Sequence, residues 1–122
     1  MKVTRADDVP GETVEAGDGA TRQVLIGPDD APNFALRRFT MEPGGGMPRH
    51  TNEVEHEQYV LRGRATVTIG DDEVTVEAGD VVYIPAGVPH SYRAEGEEPF
   101  QFLCTVPNEP DRIELLEEDR DN

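Results

Sequence analysis

His50, His56 and His90 are the only histidines of the chain and the residues best suited to hold a metal ion. Neutral imidazole binds Zn, Fe, Mn, Ni and Cu, so a set of histidines is a ligand set for a transition metal. Side chains two residues apart on a strand point to the same side. His50 would then share a face with Asn52, whose amide oxygen can coordinate a metal but is a weaker and harder ligand than imidazole.

The histidines lie in two runs whose spacing resembles the two motifs of the cupin family. Residues 44–63 read GGGMPRHTNEVEHEQYVLRG, and residues 79–94 read GDVVYIPAGVPHSYRA. The resemblance implies an all-β fold, the cupin double-stranded β-helix or jelly-roll barrel. It also implies that the three histidines face the interior of that barrel. A shared fold does not by itself define a reaction.

The chain departs from the general cupin pattern at two ligand positions. His56 stands where most cupins have Glu, and residues 55–63 resemble a subgroup of small single-domain cupins that bind metal with four histidines. Asn52 replaces the second histidine of that subgroup. The resemblance therefore implies a metal site of His50, His56 and His90. Asn52 is either a further ligand or leaves a position open to water, substrate or O2, as catalytic metal sites do.

Three further residues are candidates for the lining of the pocket. Cys104 belongs to a Phe-Leu-Cys segment that resembles the same small cupins, where the cysteine lies near the metal pocket. Its other interpretation is a small buried hydrophobe, the usual state of a free cysteine. Gln58, on the expected face of His56, and Tyr92, on that of His90, could hydrogen-bond a substrate or simply fill the barrel.

The elements that must position these residues are short strands separated by turns, a pattern typical of sandwiches and barrels. Within residues 33–41 the apolar positions shift from Phe34 and Leu36 to Phe39 and Met41. That shift predicts a bulge or a change of face. We expect an N-terminal arm over residues 1–20, a barrel over 21–107 and an acidic tail over 108–122. In the tail, residues 111–118 fit either an amphipathic helical turn or a solvated end.

Charge and composition restrict the partners. The 122 residues include 26 acidic and 11 basic side chains, for a net charge of -15. Such a surface repels nucleic acid and anionic membranes, so neither is an expected partner. Lys2 is the only lysine, and this composition fits a salt-adapted protein or an ordinary acidic one. A single cysteine excludes an internal disulfide, and no apolar run has the length of a signal peptide or membrane span. We expect a cytoplasmic protein.

Three function classes stay open, besides a structural barrel without metal. The first is a metal-dependent, dioxygenase-like oxidoreductase that acts on a small organic molecule, with Mn or Fe favoured over Zn, Ni or Cu. The second is a non-catalytic cupin that binds a small ligand. The third is an isomerase or lyase that uses its metal as a Lewis acid. The resemblance also implies a homodimer, in which residues 1–20 could be exchanged between subunits.

Overall fold

Strands form nearly all the regular structure in residues 1–116, the part of the chain that this computed structural model describes. A single 3-10 turn, Ala6–Asp8, precedes them. The strands in chain order are β1 (Glu12–Thr13), β2 (Asp18–Ile26), β3 (Phe34–Thr51), β4 (His56–Arg62), β5 (Arg64–Ile69), β6 (Asp72–Glu77), β7 (Val81–Ile84), β8 (His90–Glu95), β9 (Phe100–Pro107) and β10 (Glu114–Leu115).

All pairings between the described strands are antiparallel, and β3 pairs with four of the other strands. The strand order is β6-β5-β8-β3-β9-β4-β7, and β2 and β10 also pair with β3. β3 is long enough to change partners along its 18 residues: its first half pairs with β9 and its second half with β8. The sheet curls as a result, and the predicted all-β fold is confirmed.

Alternation places the apolar core inside the curled sheet. On β9 every second residue is buried, so Phe100, Phe102, Cys104 and Val106 form one inner face, as the sequence predicts. Side chains two residues apart line the same face because successive residues of a strand point to opposite sides. The same core includes Met41 from β3, which is fully buried.

The expected change of face within residues 33–41 is wrong. β3 pairs with β9 without a register shift from Phe34 to Met41. The odd-numbered residues of this stretch face inward, and one of them is the polar Arg37. Because the alternation was judged from apolar residues alone, it indicated a change of face that does not occur. The irregularity lies on the other side of β3, where the pairing with β2 shifts between Val24 and Ile26.

The two ends of the described chain pack on the barrel. β2 begins at Asp18, and the Gln23 side chain donates hydrogen bonds of 2.9 and 2.8 Å to the carbonyls of Ala6 and Val9. Near the other end, Glu114–Leu115 pairs with β3 as a strand. The helical turn considered for residues 111–118 is therefore wrong at this strand, and residues 117 and 118 lie outside the described part.

Among residues 1–116, no helix is long and apolar enough to cross a membrane.

Candidate functional site

The structure brings the three histidines together at one end of the barrel. His50 lies at the end of β3, His56 begins β4 and His90 begins β8, where it is the direct register partner of His50. All three are buried. The ring centroids of His50 and His90 are 4.2 Å apart, and those of His56 and His90 are 5.8 Å apart. Long-range strand pairing therefore builds the cluster.

Backbone carbonyls set the protonation of two of the rings. His50 Nδ1 donates to the carbonyl of Pro48 at 2.8 Å, and His90 Nδ1 donates to that of Val88 at 3.0 Å. A carbonyl can only accept, so in each neutral ring the proton lies on Nδ1 and the lone pair on Nε2. These two Nε2 atoms carry the lone pairs that a metal requires.

Burial keeps the rings neutral. Desolvation lowers the pKa of His50, and it lowers the pKa of His90 to about 4. The pKa of His56 falls to about 3, because of desolvation first and then the positive charge of Arg37 and repulsion from the other two rings. Charged imidazolium is disfavoured in such surroundings. All three rings are neutral at pH 7, the form that binds metal.

The donor set fits a transition metal, although the rings are not arranged around a common point. In the part of the chain that the structure describes, the Nε2 atoms of His56 and His90 are buried without a hydrogen-bond partner, which is costly unless something binds them. Within residues 1–116, however, no group of three His, Cys, Asp or Glu side chains meets the geometry of a metal site.

Asn52 lies beside the histidines and is 5% exposed. Its Nδ2 donates to Asp111 Oδ2 at 3.1 Å, whereas its Oδ1 is buried without a partner. Of the two amide atoms, the oxygen is the one left available to the site.

Gln58 and Tyr92 line the cavity, whereas Cys104 lies behind the lining rather than in it. Gln58 Nε2 donates to Tyr92 Oη at 2.7 Å. The fully buried Cys104 Sγ is 3.5 Å from His56 Nδ1, so the thiol contacts the ring of that histidine. Burial raises the pKa of both Tyr92 and Cys104, and they remain a neutral phenol and a thiol at pH 7.

Arg37 is a site residue that reading the sequence for motifs missed. Its Nη2 donates to Cys104 Sγ at 3.4 Å, and its guanidinium carbon lies 5.1 Å from the centroid of the Phe39 ring. Its Nε is buried without a hydrogen-bond partner. The signal was the period-two row Ala35, Arg37, Phe39 and Met41, in which a basic residue occupies an inner position of a strand.

These residues surround a cavity of about 320 Å³. Its lining combines apolar with polar side chains: Val14, Phe39, Met41, Met47, Phe102, Ile113, Arg22, Arg37, His50, Asn52, His56, Gln58, His90, Tyr92 and Asp111. A more open surface cleft of about 470 Å³ beside Gly44 and Arg49 includes none of the histidines. We therefore assign the candidate site to the smaller cavity, where the available donor atoms lie.

Several known proteins resemble this chain in structure or in sequence. The polyketide cyclase RemF from Streptomyces resistomycificus matches 98% of this chain and 89% of its own, with 35% identity and a TM-score of 0.85. The 1-methylthio-D-xylulose 5-phosphate methylsulfurylase of Rhodospirillum rubrum is 34% identical over 95 residues, which are 78% of this chain and 60% of that protein. The oxalate-binding protein of Thermotoga maritima is 26% identical over 111 residues, 85% of this chain and 92% of that protein.

The cupin domain model, Cupin_2, matches residues 37–106, more than half of the chain. That segment includes all three histidines, the whole of β4 and β8, and most of β3 and β9, the strands that shape the cavity. With the jelly-roll barrel and the two histidine motifs, this match shows that the chain belongs to the cupin family.

Proposed function

We propose that this cupin is a metal-dependent enzyme that acts on a small organic molecule in the 320 Å³ cavity. His50, His56 and His90 would hold the metal, with Asn52 Oδ1 as a further oxygen donor. The observation that carries the proposal is the pair of buried Nε2 atoms, of His56 and His90, that have no partner. A buried polar atom without a hydrogen bond is costly, and a bound metal would remove that cost.

The first candidate reaction is an oxidation of the dioxygenase type, as expected from the cupin resemblance, with Fe or Mn. The bound metal would supply redox chemistry or Lewis acidity. The protein residues have separate tasks. Tyr92 is a neutral phenol that can donate a proton to a hydrogen bond, and Gln58 fixes the orientation of that phenol through its 2.7 Å contact. The apolar part of the lining excludes water from the substrate.

A second candidate is Lewis-acid catalysis by an isomerase or lyase. The specific observation in its favour is Arg37, a cation within the cavity wall, because such an arginine suits an anionic substrate. The similarity to a polyketide cyclase points in the same direction. The identity of the resident metal separates the two candidates, since Zn favours Lewis-acid chemistry and Fe or Mn favours oxidation.

Elemental analysis of the purified protein, without an affinity tag, tests the proposal. We expect one Fe or Mn per chain, lost in a His56→Ala variant and retained in Glu57→Ala, an exposed neighbour on the same strand. Stoichiometric Zn or Ni would instead support the second candidate. If the wild-type protein and the Glu57→Ala variant both hold no metal after incubation with divalent ions, the proposal is wrong and the barrel is a non-catalytic ligand binder.

We also propose a homodimer. β7 is an edge strand, and Val81 and Tyr83 on it are 77% and 57% exposed, next to Tyr59 of β4. Exposed apolar side chains on a sheet edge favour association. Sedimentation at high and low salt checks the mass, with Val81→Lys as the variant that should dissociate the dimer. A monomeric wild-type protein in both buffers would contradict this proposal.

A further inference from the structure

The charges at the cavity are unevenly compensated. The whole chain carries a net charge of -15, yet two arginines, Arg22 and Arg37, line this cavity. Arg22 forms an ion pair with Glu12 at 3.0 Å. Among residues 1–116, Asp111 is the one acidic residue of the lining, and it accepts hydrogen bonds from Asn52 and from the backbone of Glu53. Within residues 1–116, no carboxylate forms an ion pair with Arg37.

The surroundings of Arg37 hold its guanidinium group in place. Arg37 Nη2 donates a hydrogen bond to Cys104 Sγ, which is a weak acceptor. The centroid of the Phe39 ring lies 5.1 Å from the guanidinium carbon. Neither contact neutralises the charge. The Nε atom is buried and has no partner, so one N–H of the guanidinium fork lacks an acceptor. A cation with an unmade hydrogen bond in a partly desolvated wall lacks a counter-charge.

We infer that the cavity binds a small organic acid whose carboxylate pairs with the guanidinium group of Arg37 and whose apolar body packs among Phe39, Phe102 and Ile113. The planar guanidinium fork matches a carboxylate, which can accept two parallel hydrogen bonds. The inference rests on the proposed function, since it names the substrate class of the same cavity.

Size and donor number select this ligand class. At about 320 Å³ the cavity lies near the lower end of ligand pockets, roughly 300–1,000 Å³, so the ligand is small. Among residues 1–116, Arg37 is the one arginine of the lining without an ion pair, and one guanidinium group pairs with one carboxylate. The aromatic and aliphatic lining suits a ring or branched chain, so a purely polar dianion would leave that apolar surface uncovered.

Calorimetric titration with benzoate tests the inference, with benzamide as the uncharged probe of the same shape. The chelator-treated and the metal-loaded wild-type protein should both bind benzoate more tightly than benzamide. Arg37→Gln should weaken benzoate binding about tenfold or more, as expected for hydrogen bonds to a charged group, and leave benzamide binding unchanged. Arg37→Lys, which retains the charge but not the fork, should weaken it by less.

Arg93→Gln is the matched control, because Arg93 is an exposed arginine of the same sheet whose side chain is 69% accessible and lies outside this cavity. Its benzoate affinity should equal that of the wild type. The inference is overturned if wild-type protein binds benzoate no better than benzamide, or if Arg37→Gln and Arg37→Lys both bind it as well as wild type. Metal content is measured on the same samples. Arg37-dependent binding to a protein that takes up no metal would refute the proposed enzyme while retaining the carboxylate site.

Discussion

Asn52 Nδ2 donates a 3.1 Å hydrogen bond to Asp111 Oδ2, which joins the histidine cluster to a residue 59 positions later in the chain. The second carboxylate oxygen, Oδ1, accepts the backbone N–H of Glu53 at 2.7 Å. A carboxylate only accepts, so the amide nitrogen of Asn52 must face Asp111. The amide oxygen is thereby turned away from the C-terminal segment and kept for the site. The segment that carries Asp111 thus sets the orientation of a candidate ligand.

Removing that carboxylate should release Asn52. We expect Asp111→Ala to lower the free energy of unfolding by about 1 kcal/mol, because the hydrogen bonds that this exposed carboxylate accepts from Asn52, Glu53 and Arg112 are lost. Urea denaturation measures the change. Glu109→Ala is the control, since it removes an equal charge from an exposed residue of the same segment, and it should leave the urea midpoint unchanged. Equal effects of the two substitutions would show that net charge, and not the contact with Asn52, matters.

Replacing Asn52 with histidine should strengthen the metal site. An imidazole is a better ligand than an amide oxygen for Zn or Ni, so we expect Asn52→His to bind either ion about tenfold more tightly, which corresponds to about 1.4 kcal/mol. Competition with a chromogenic chelator measures the affinity. Asn108→His adds a histidine outside the histidine cavity and should leave the affinity unchanged. An Asn52→His variant with wild-type affinity would mean that the fourth position does not contribute to binding.

The metal-free protein should lose stability as the pH falls below about 6.5. His56 and His90 have pKa values of about 3 and about 4 in the folded chain, against the ordinary 6.5 when unfolded. The unfolded state therefore binds more protons between these values, and acid favours unfolding. At pH 5 each of the two histidines should lower the free energy of unfolding by about 2 kcal/mol relative to its value at pH 7.5.

Urea denaturation at pH 7.5, 6 and 5 checks the histidine prediction. A His56→Gln variant serves as the comparison, because it lacks one of the two titrating groups. Its loss of stability over the same pH interval should be smaller by about the contribution of one histidine, roughly 2 kcal/mol. If the two proteins lose stability in parallel, His56 is not kept neutral by its surroundings and carboxylates explain the acid sensitivity.

Cys104 should be unreactive in the folded protein. Its side chain is fully buried and burial raises its pKa, so very little nucleophilic thiolate is present at pH 7.5. We expect alkylation by iodoacetamide to be at least about 100-fold slower than in urea, since reaction requires local opening. Mass spectrometry of the modified chain gives both rates. Rapid labelling of folded protein would place the sulfur in an accessible part of the cavity instead.

Sequence reasoning succeeded where a local pattern controls the structure. The spacing of His50, His56 and His90 matched a known pair of motifs, and all three lie at the ends or starts of strands around one cavity. The alternation of apolar residues along β9 correctly predicted its inner face, because successive side chains of a strand point to opposite sides. The spacing within each motif and the alternation along β9 involve residues that are near one another in the chain, so both can be recognised without coordinates, whereas the meeting of the three histidines depends on strand pairing.

Other features depend on contacts between distant segments. Arg37 contacts Cys104 only because β9 pairs with β3, and the orientation of Asn52 depends on Asp111. Residues 114–115 fit a helical pattern, but hydrogen bonds from β3 make them a strand. Local propensity is weak beside such long-range pairing. Local patterns are therefore enough to predict the fold family and the three histidines, whereas the charge of the cavity and the polar atoms that lack a partner among the described residues follow from contacts between distant segments.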